Sequence, residues 1–375
     1  MVQTIFSENN TDNFFQHIPT QITNLESNNS NTNFETITQN EIVENTEQNK
    51  IIQKPKLIKY IAVYEKFLQK SVYGDIHSAH IKVAHKYMHK NEINRVITLK
   101  FNAFESQNIP LNETIVIKKY NIDMAKKHST STNTIAAEDM QTELKIHKFI
   151  SQSLPHKFIL KMYDVINTPY NKYAILEYCP KGDLLENLKD NPDNFPIKKY
   201  FAQLIVGIKH LHDNNICHRD LSLENILIGN DTNIRICDFG VCCAVEPNTF
   251  VEDKIARSGK VNFYMAPEVY SQTKYDPFKA DVWTCGVILF TMYLKKYPFK
   301  YATSSDLFFD MIYNKGTNGI SQFLIKTKNQ KLISENIISH HLMSLLSNIL
   351  CDAKCRYTVD DILDDPFFLS CLVDF

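Results

Sequence analysis

His218-Arg219-Asp220-Leu221-Ser222-Leu223-Glu224-Asn225 is the stretch on which the reading of this chain turns. It satisfies the pattern H-R-D-L-x-x-x-N at every specified position. Thirteen positions after Asn225 comes Asp238-Phe239-Gly240. Ala266-Pro267-Glu268, then Asp281-Val282-Trp283-Thr284-Cys285-Gly286, and finally Arg356 follow in that order. A lone D-F-G is common, and its simplest reading is a turn. Five matches in one order within about 140 residues are not explained that way.

Phosphoryl transfer asks little covalent work of a protein. It needs cations on the phosphates, carboxylates to hold magnesium, and a base to orient the attacking hydroxyl. The five segments supply such parts in an order that resembles the protein-kinase family, over roughly residues 60–370. The resemblance implies an α+β fold in two lobes, a small β-rich N-lobe and a larger helical C-lobe. It also implies that Asp220 accepts or orients the hydroxyl proton, and that Asn225 and Asp238 hold Mg2+ against the phosphates of ATP. Asp281 would brace the catalytic loop, and Arg356 would pair with Glu268.

Working toward the N-terminus, the pattern stays recognisable. Ile115-Val116-Ile117-Lys118 resembles the V-A-I-K strand, whose lysine holds the α- and β-phosphates. Lys119 points to the opposite face of the same strand. The lysine's partner is expected on the next helix, at Glu143, with Glu138 as the weaker candidate. Leu176-Glu177-Tyr178-Cys179-Pro180-Lys181-Gly182-Asp183 resembles the hinge. Leu176 would be the gatekeeper, the backbone of Glu177 and Cys179 would bind adenine, and Asp183 would take the ribose hydroxyls.

Three departures stand out. Aligning Tyr73-Gly74-Asp75-Ile76 on the end of G-x-G-x-x-G-x-V leaves Gly74 as the one matching glycine, with Gln69 and Ser71 at the other two positions. Glycine suits such a loop because backbone amides must approach phosphates closely. Gly74 also lies 44 positions before Lys118, which implies an insertion at about residues 82–112. The histidines His77, His80, His85 and His89 fall around it, and a surface insertion explains them better than a metal site. Second, Ser222 stands where serine/threonine kinases carry a lysine for the γ-phosphate. Third, Gly259-Lys260-Val261-Asn262-Phe263-Tyr264 lacks the threonine that bonds the catalytic aspartate. An active serine/threonine kinase is therefore weighed against a pseudokinase acting as scaffold or allosteric partner.

Regulation and substrate choice follow from the same resemblance. Arg219 would receive an anion from the activation segment, with Thr249 and Ser258 as the phosphorylatable candidates. Glu224 and Asp183 would face the peptide groove and favour arginine before the acceptor.

The rest of the chain bounds the reading. Over 375 residues, 43% are hydrophobic and 22% charged, with a formal net charge of −1. These values fit a globular protein and give no global field for nucleic acid or an acidic membrane. Residues 1–55 hold eleven asparagines in the first fifty positions and no periodicity, the composition of a disordered segment. Residues 56–375 would be the kinase domain, with the N-lobe at about 56–177 and the C-lobe at about 178–372. Short apolar runs at Thr114-Ile115-Val116-Ile117 and Tyr173-Ala174-Ile175-Leu176 predict strands, and an i, i+3, i+4, i+7 face over Tyr200–Leu211 predicts a helix. Nine irregularly spaced cysteines and no secretory leader imply free thiols in an intracellular, cytoplasmic protein, with the nucleus left open. Protein substrates are the implied partners, without nucleic acid or membrane, and the oligomeric state stays open.

Overall fold

The structure is a computed structural model that describes residues 57–83, 96–102, 110, 113–125, 140–251, 263–271 and 274–374. The expectations for residues 1–55, His85, His89, Glu138 and Ser258 lie outside these residues. The chain forms two compact units, residues 1–65 with 79–114, and residues 66–78 with 115–375.

In the smaller unit, the first part of strand β1 (Leu57–Ser71) pairs antiparallel with β3 (Val96–Asn102). The sequence reading preferred a surface insertion to a metal site for the histidines. The structure pairs one of them with a carboxylate: Glu65 Oε1 lies 2.6 Å from Nδ1 of His80, on strand β2 (Gly74–Val83). The other ring nitrogen of His80 is 3.4 Å from the Thr114 hydroxyl, so this imidazole is used in local bonding.

In the larger unit, the end of β1 turns through Val72 and Tyr73 into β2. With β4 (Thr114–Asn121), β5 (Met162–Asn167) and β6 (Asn171–Glu177) they make a sheet in the order β1-β2-β4-β6-β5. Strand alternation puts Val116, Lys118 and Tyr120 on one face of β4, and Ile115, Ile117 and Lys119 on the other. The first face meets helix α1 (Met140–Ser153), which buries Glu143, Leu144, His147 and Ile150 along one stripe. Tyr120, Met140, Leu144, Met162, Ala174 and Leu176 pack there as one apolar cluster.

After the hinge the chain becomes helical, in the strand-first, helix-after order expected of an α+β fold. Helices α2 (Leu184–Asp190), α3 (Ile197–Asp213), α4 (Pro267–Ser271) and α5 (Pro277–Leu294) are followed by α6 (Leu307–Lys326), α7 (Lys331–Ser334) and α8 (His340–Ile349). Two short helices, α9 (Val359–Leu363) and α10 (Pro366–Cys371), complete the set. Helix α5 is apolar nearly all round, which places it at the centre of this part of the unit. Asp276 caps it by accepting the N–H groups of Phe278 and Lys279, and Pro277 occupies the position where a missing N–H costs nothing. Two small ribbons complete the frame, β7 (Ile216–Cys217) with β10 (Cys243–Ala244), and β8 (Ile226–Ile228) with β9 (Ile234–Ile236). These four strands flank the two loops carrying the sequence motifs. All nine cysteines are free thiols. Among the described residues, no helix is long and apolar enough to cross a membrane.

Candidate active site

The loop after β7 is held by one buried carboxylate. Asp281 on α5 is 1% exposed and accepts three donors. Its Oδ1 takes the Arg219 N–H at 2.7 Å, and its Oδ2 takes the His218 N–H at 2.8 Å and His212 Nε2 at 3.0 Å. That grip sustains an unusual backbone at Arg219, whose φ of 66° is left-handed and non-glycine, and Asp238 in the loop after Ile236 shares that conformation at φ 69°. Such a conformation costs on the order of 1 kcal/mol per residue and persists where surrounding bonds over-determine it. His212 and Asp281 form, with Cys217, the one metal-compatible trio among the described residues. The two N–H groups and the imidazole already satisfy that carboxylate, so bracing explains the trio.

The loop closes on itself and on Asp238. Asn225 Nδ2 donates to the Asp220 carbonyl at 2.7 Å and to Asp220 Oδ2 at 3.1 Å. The Cys237 N–H donates to the Asn225 carbonyl at 3.0 Å, and His218 Nε2 reaches the Cys237 carbonyl at 3.0 Å. Phe239 is fully buried between two imidazoles, with ring centroids 5.2 Å from His218 and 4.9 Å from His147.

Strand β4 and helix α1 bring in the cation. Lys118 Nζ lies 2.6 Å from Glu143 Oε1 and 3.8 Å from Asp238 Oδ1. Burial opposes the ammonium, but Glu143, Tyr120 and Asp238 override it and hold Lys118 well above its usual range. The pairing settles on Glu143, one turn before His147 on the same helical stripe. His147 Nε2 donates to the Leu160 carbonyl at 2.7 Å, and burial lowers this imidazole to about 4, so it stays neutral. Neither Tyr120 nor His147 was found by sequence reasoning. The one available signal was that Tyr120 lies two positions after Lys118, hence on its face.

The oxygens present fit magnesium. Asp238 Oδ1 is buried with no hydrogen-bond partner, and Asp238 and Asn225 offer the hard oxygen donors that magnesium takes. At the hinge, Gly182 N–H closes a turn on the Cys179 carbonyl at 3.3 Å, and the Cys179 N–H makes no backbone bond among the described residues. Glu177 holds Arg235 Nε at 2.9 Å, and Asp183 caps α2 through the Glu186 N–H at 2.8 Å.

The departures have local explanations. Ser222 is 4% exposed, and its hydroxyl accepts the Asn225 N–H at 3.2 Å, capping the short helical turn Leu223–Asn225. Glu224 is exposed and accepts the Tyr264 hydroxyl at 3.2 Å. Thr249 is exposed, with its N–H on the Glu246 carbonyl at 3.1 Å. A Cβ on Gly74 would come within 2.3 Å of the Lys119 carbonyl, so glycine is required by a backbone approach inside the sheet. Farther along, the Arg356 guanidinium is fully buried, pairs with both oxygens of Glu268 at 2.5 and 3.0 Å, and stands 4.9 Å from the Trp283 ring.

Sequence comparison agrees with this geometry. The probable serine/threonine-protein kinase KCC4 of Saccharomyces cerevisiae is 32% identical over 257 residues, 67% of this chain and 22% of that protein. The SNF1-related protein kinase catalytic subunit alpha KIN12 of Arabidopsis thaliana is 31% identical over 232 residues, 61% of this chain and 42% of that protein. The serine/threonine-protein kinase chk1 of Schizosaccharomyces pombe is 29% identical over 253 residues, 65% of this chain and 47% of that protein. The chain thus spans less than half the length of these relatives. A family model described as protein kinase domain matches residues 102–368, and on that match the chain belongs to the protein kinase family.

Proposed function

We propose that this chain transfers the γ-phosphate of ATP to serine or threonine hydroxyls of protein substrates. The observation carrying this reading is the convergence of Lys118 on Glu143 and Asp238 within one compact unit that also holds Asp220 and Asn225. Asp220 orients the hydroxyl and takes its proton as the oxygen–phosphorus bond forms and the bond to ADP breaks. Lys118 holds the α- and β-phosphates, aimed by Glu143. Asp238 and Asn225 would hold Mg2+, which supplies positive charge to the phosphate oxygens when bound. Glu177 and Cys179 receive adenine through their backbone, Asp183 lies where ribose would bind, and Gly74 shapes the hairpin beside Lys119.

On this reading, residues 56–375 form the kinase domain, with lobes at about 56–177 and 178–372 around an insertion at about 82–112. Phosphorylation of Thr249 or Ser258 would supply an anion to Arg219. Glu224 and Asp183 would favour arginine upstream of the acceptor, although the Tyr264 hydroxyl and the α2 cap each compete for one of these carboxylates. One observation favours the pseudokinase reading: the Ser222 hydroxyl is committed to capping and gives the γ-phosphate no cation. Purified protein with Mg-ATP and a generic basic protein decides between them, beside an Asp220→Asn control. Transfer lost in the control supports the kinase reading, and no transfer by the wild type supports the scaffold.

A further inference from the structure

Glu143 is 3% exposed, and a carboxylate that deep needs donors for its lone pairs. Lys118 is the donor every reading of the motif supplies. The structure shows another. The Tyr120 hydroxyl donates to Glu143 Oε1 at 2.8 Å, the same oxygen that Lys118 Nζ reaches at 2.6 Å. Tyr120 is 1% exposed, and its ring centroid lies 5.2 Å from Nζ, so one side chain touches both members of the ion pair. The arrangement follows from the strand. Residues 118 and 120 of β4 share a face, and that face meets the stripe of α1 that carries Glu143.

We propose that Tyr120 is a positioning residue for phosphoryl transfer, an uncharged second donor that keeps Glu143 aimed when Lys118 engages the phosphates. This rests on the kinase reading above. An ammonium has three N–H groups and one charge to share. As phosphate oxygens take part of both, its hold on Glu143 loosens, and a buried carboxylate without another donor would swing or take a proton. A phenol carries no charge for the phosphates to draw away, so its bond to Glu143 is kept. It therefore holds helix α1 in the geometry that keeps Lys118 pointed at the phosphates. Because the donor is built into β4, the hold needs no group from the activation segment.

The test is a double-mutant cycle on the full chain. Tyr120→Phe removes one oxygen and leaves the packing in place. We expect it to lower kcat/KM for ATP and weaken binding of a fluorescent Mg-nucleotide, each about tenfold, the lower end for a hydrogen bond to a charged group. In a Glu143→Met background, which fills the volume but offers no acceptor, the same substitution should change either quantity less than about twofold. If Glu143→Met does not fold, Glu143→Ala replaces it, with the melting midpoint of every variant recorded. A wild-type response in Tyr120→Phe overturns the proposal. So does an equal loss in both backgrounds, which would mean that the hydroxyl acts through packing. If the wild type binds Mg-nucleotide but transfers no phosphate, the kinase reading fails and the affinity cycle alone judges Tyr120. A chain that does neither overturns both.

Discussion

Around Asp220, side chains hold the backbone: Asp281 takes the N–H groups of His218 and Arg219, and Ser222 takes that of Asn225. At the β1–β2 turn, the relation is reversed. Two positions where a kinase-like loop carries glycine hold Gln69 and Ser71, and the remaining glycine is fixed by the Lys119 carbonyl rather than by any side chain. A backbone held by side chains needs particular residue types and leaves a motif. A backbone held by backbone leaves almost none. The family match begins at residue 102 and does not reach the hairpin.

The contrast breaks most directly at Asp281. Asp281→Ala would leave the buried His218 N–H, the half-buried Arg219 N–H and an imidazole without their acceptor. A loss of about 3–5 kcal/mol in urea unfolding is expected, with transfer activity reduced to background. If stability fell by less than about 1 kcal/mol, water or another group must be able to take over the anchor, and the loop would not depend on side chains as argued.

How much was legible follows from this difference. The contacts of Lys118 with Glu143 and Asp238, of Asn225 with Asp220, of Asp281 with the His218 and Arg219 amides, and of Arg356 with Glu268 join residues that the motifs single out, because each bond requires that residue type. The strands at 114–117 and 173–176 were legible from short apolar runs, and the helix over 200–211 from its period. Tyr120 and His147 were not, because a phenol or imidazole on a buried face has the same sequence pattern as any core residue. The Glu65–His80 contact was missed because pairing of β1 with β2, rather than sequence proximity, brings the two together. Ser222 was read for the lysine it replaces, while its bond to Asn225 could be seen only in the folded turn.

His147 sharpens the comparison by placing a titratable group inside the anchored region. Burial lowers it to about 4 in the fold, against an ordinary value of 6.5. A depressed pKa gives stability that is present above the unfolded value and lost as pH falls toward the folded one. The window is therefore about pH 6.5 down to 4, and the full loss is about 3 kcal/mol. His147→Leu should flatten that limb. It should cost about 1 kcal/mol at pH 7, from the unpaired Leu160 carbonyl, and the two unfolding curves should cross below pH 6. Parallel pH profiles would show that His147 titrates normally.

The hairpin gives a smaller effect of a different kind. Gly74→Ala must push β2 away from the Lys119 carbonyl, at a cost of about 1–3 kcal/mol. Stability should fall while Mg-nucleotide affinity changes less than about threefold, corresponding to under 1 kcal/mol. If affinity collapsed with little change in stability, Gly74 would be a phosphate-contacting glycine, and the two regions would be alike.

The smallest expected effect lies in the catalytic loop. Ser222 stands where a lysine is usual in related kinases, yet its hydroxyl is buried and takes the Asn225 N–H at 3.2 Å. As a cap it contributes about 1 kcal/mol, and Ser222→Ala should lower stability by that amount. Activity should fall by no more than about threefold, because Asn225 also holds Asp220 through its side chain and keeps that bond. Ser222→Thr retains the hydroxyl and should restore both. If Ser222→Ala instead removed activity with stability unchanged, the hydroxyl would be contacting the phosphate, and position 222 would belong with the catalytic groups rather than with the scaffold that holds them.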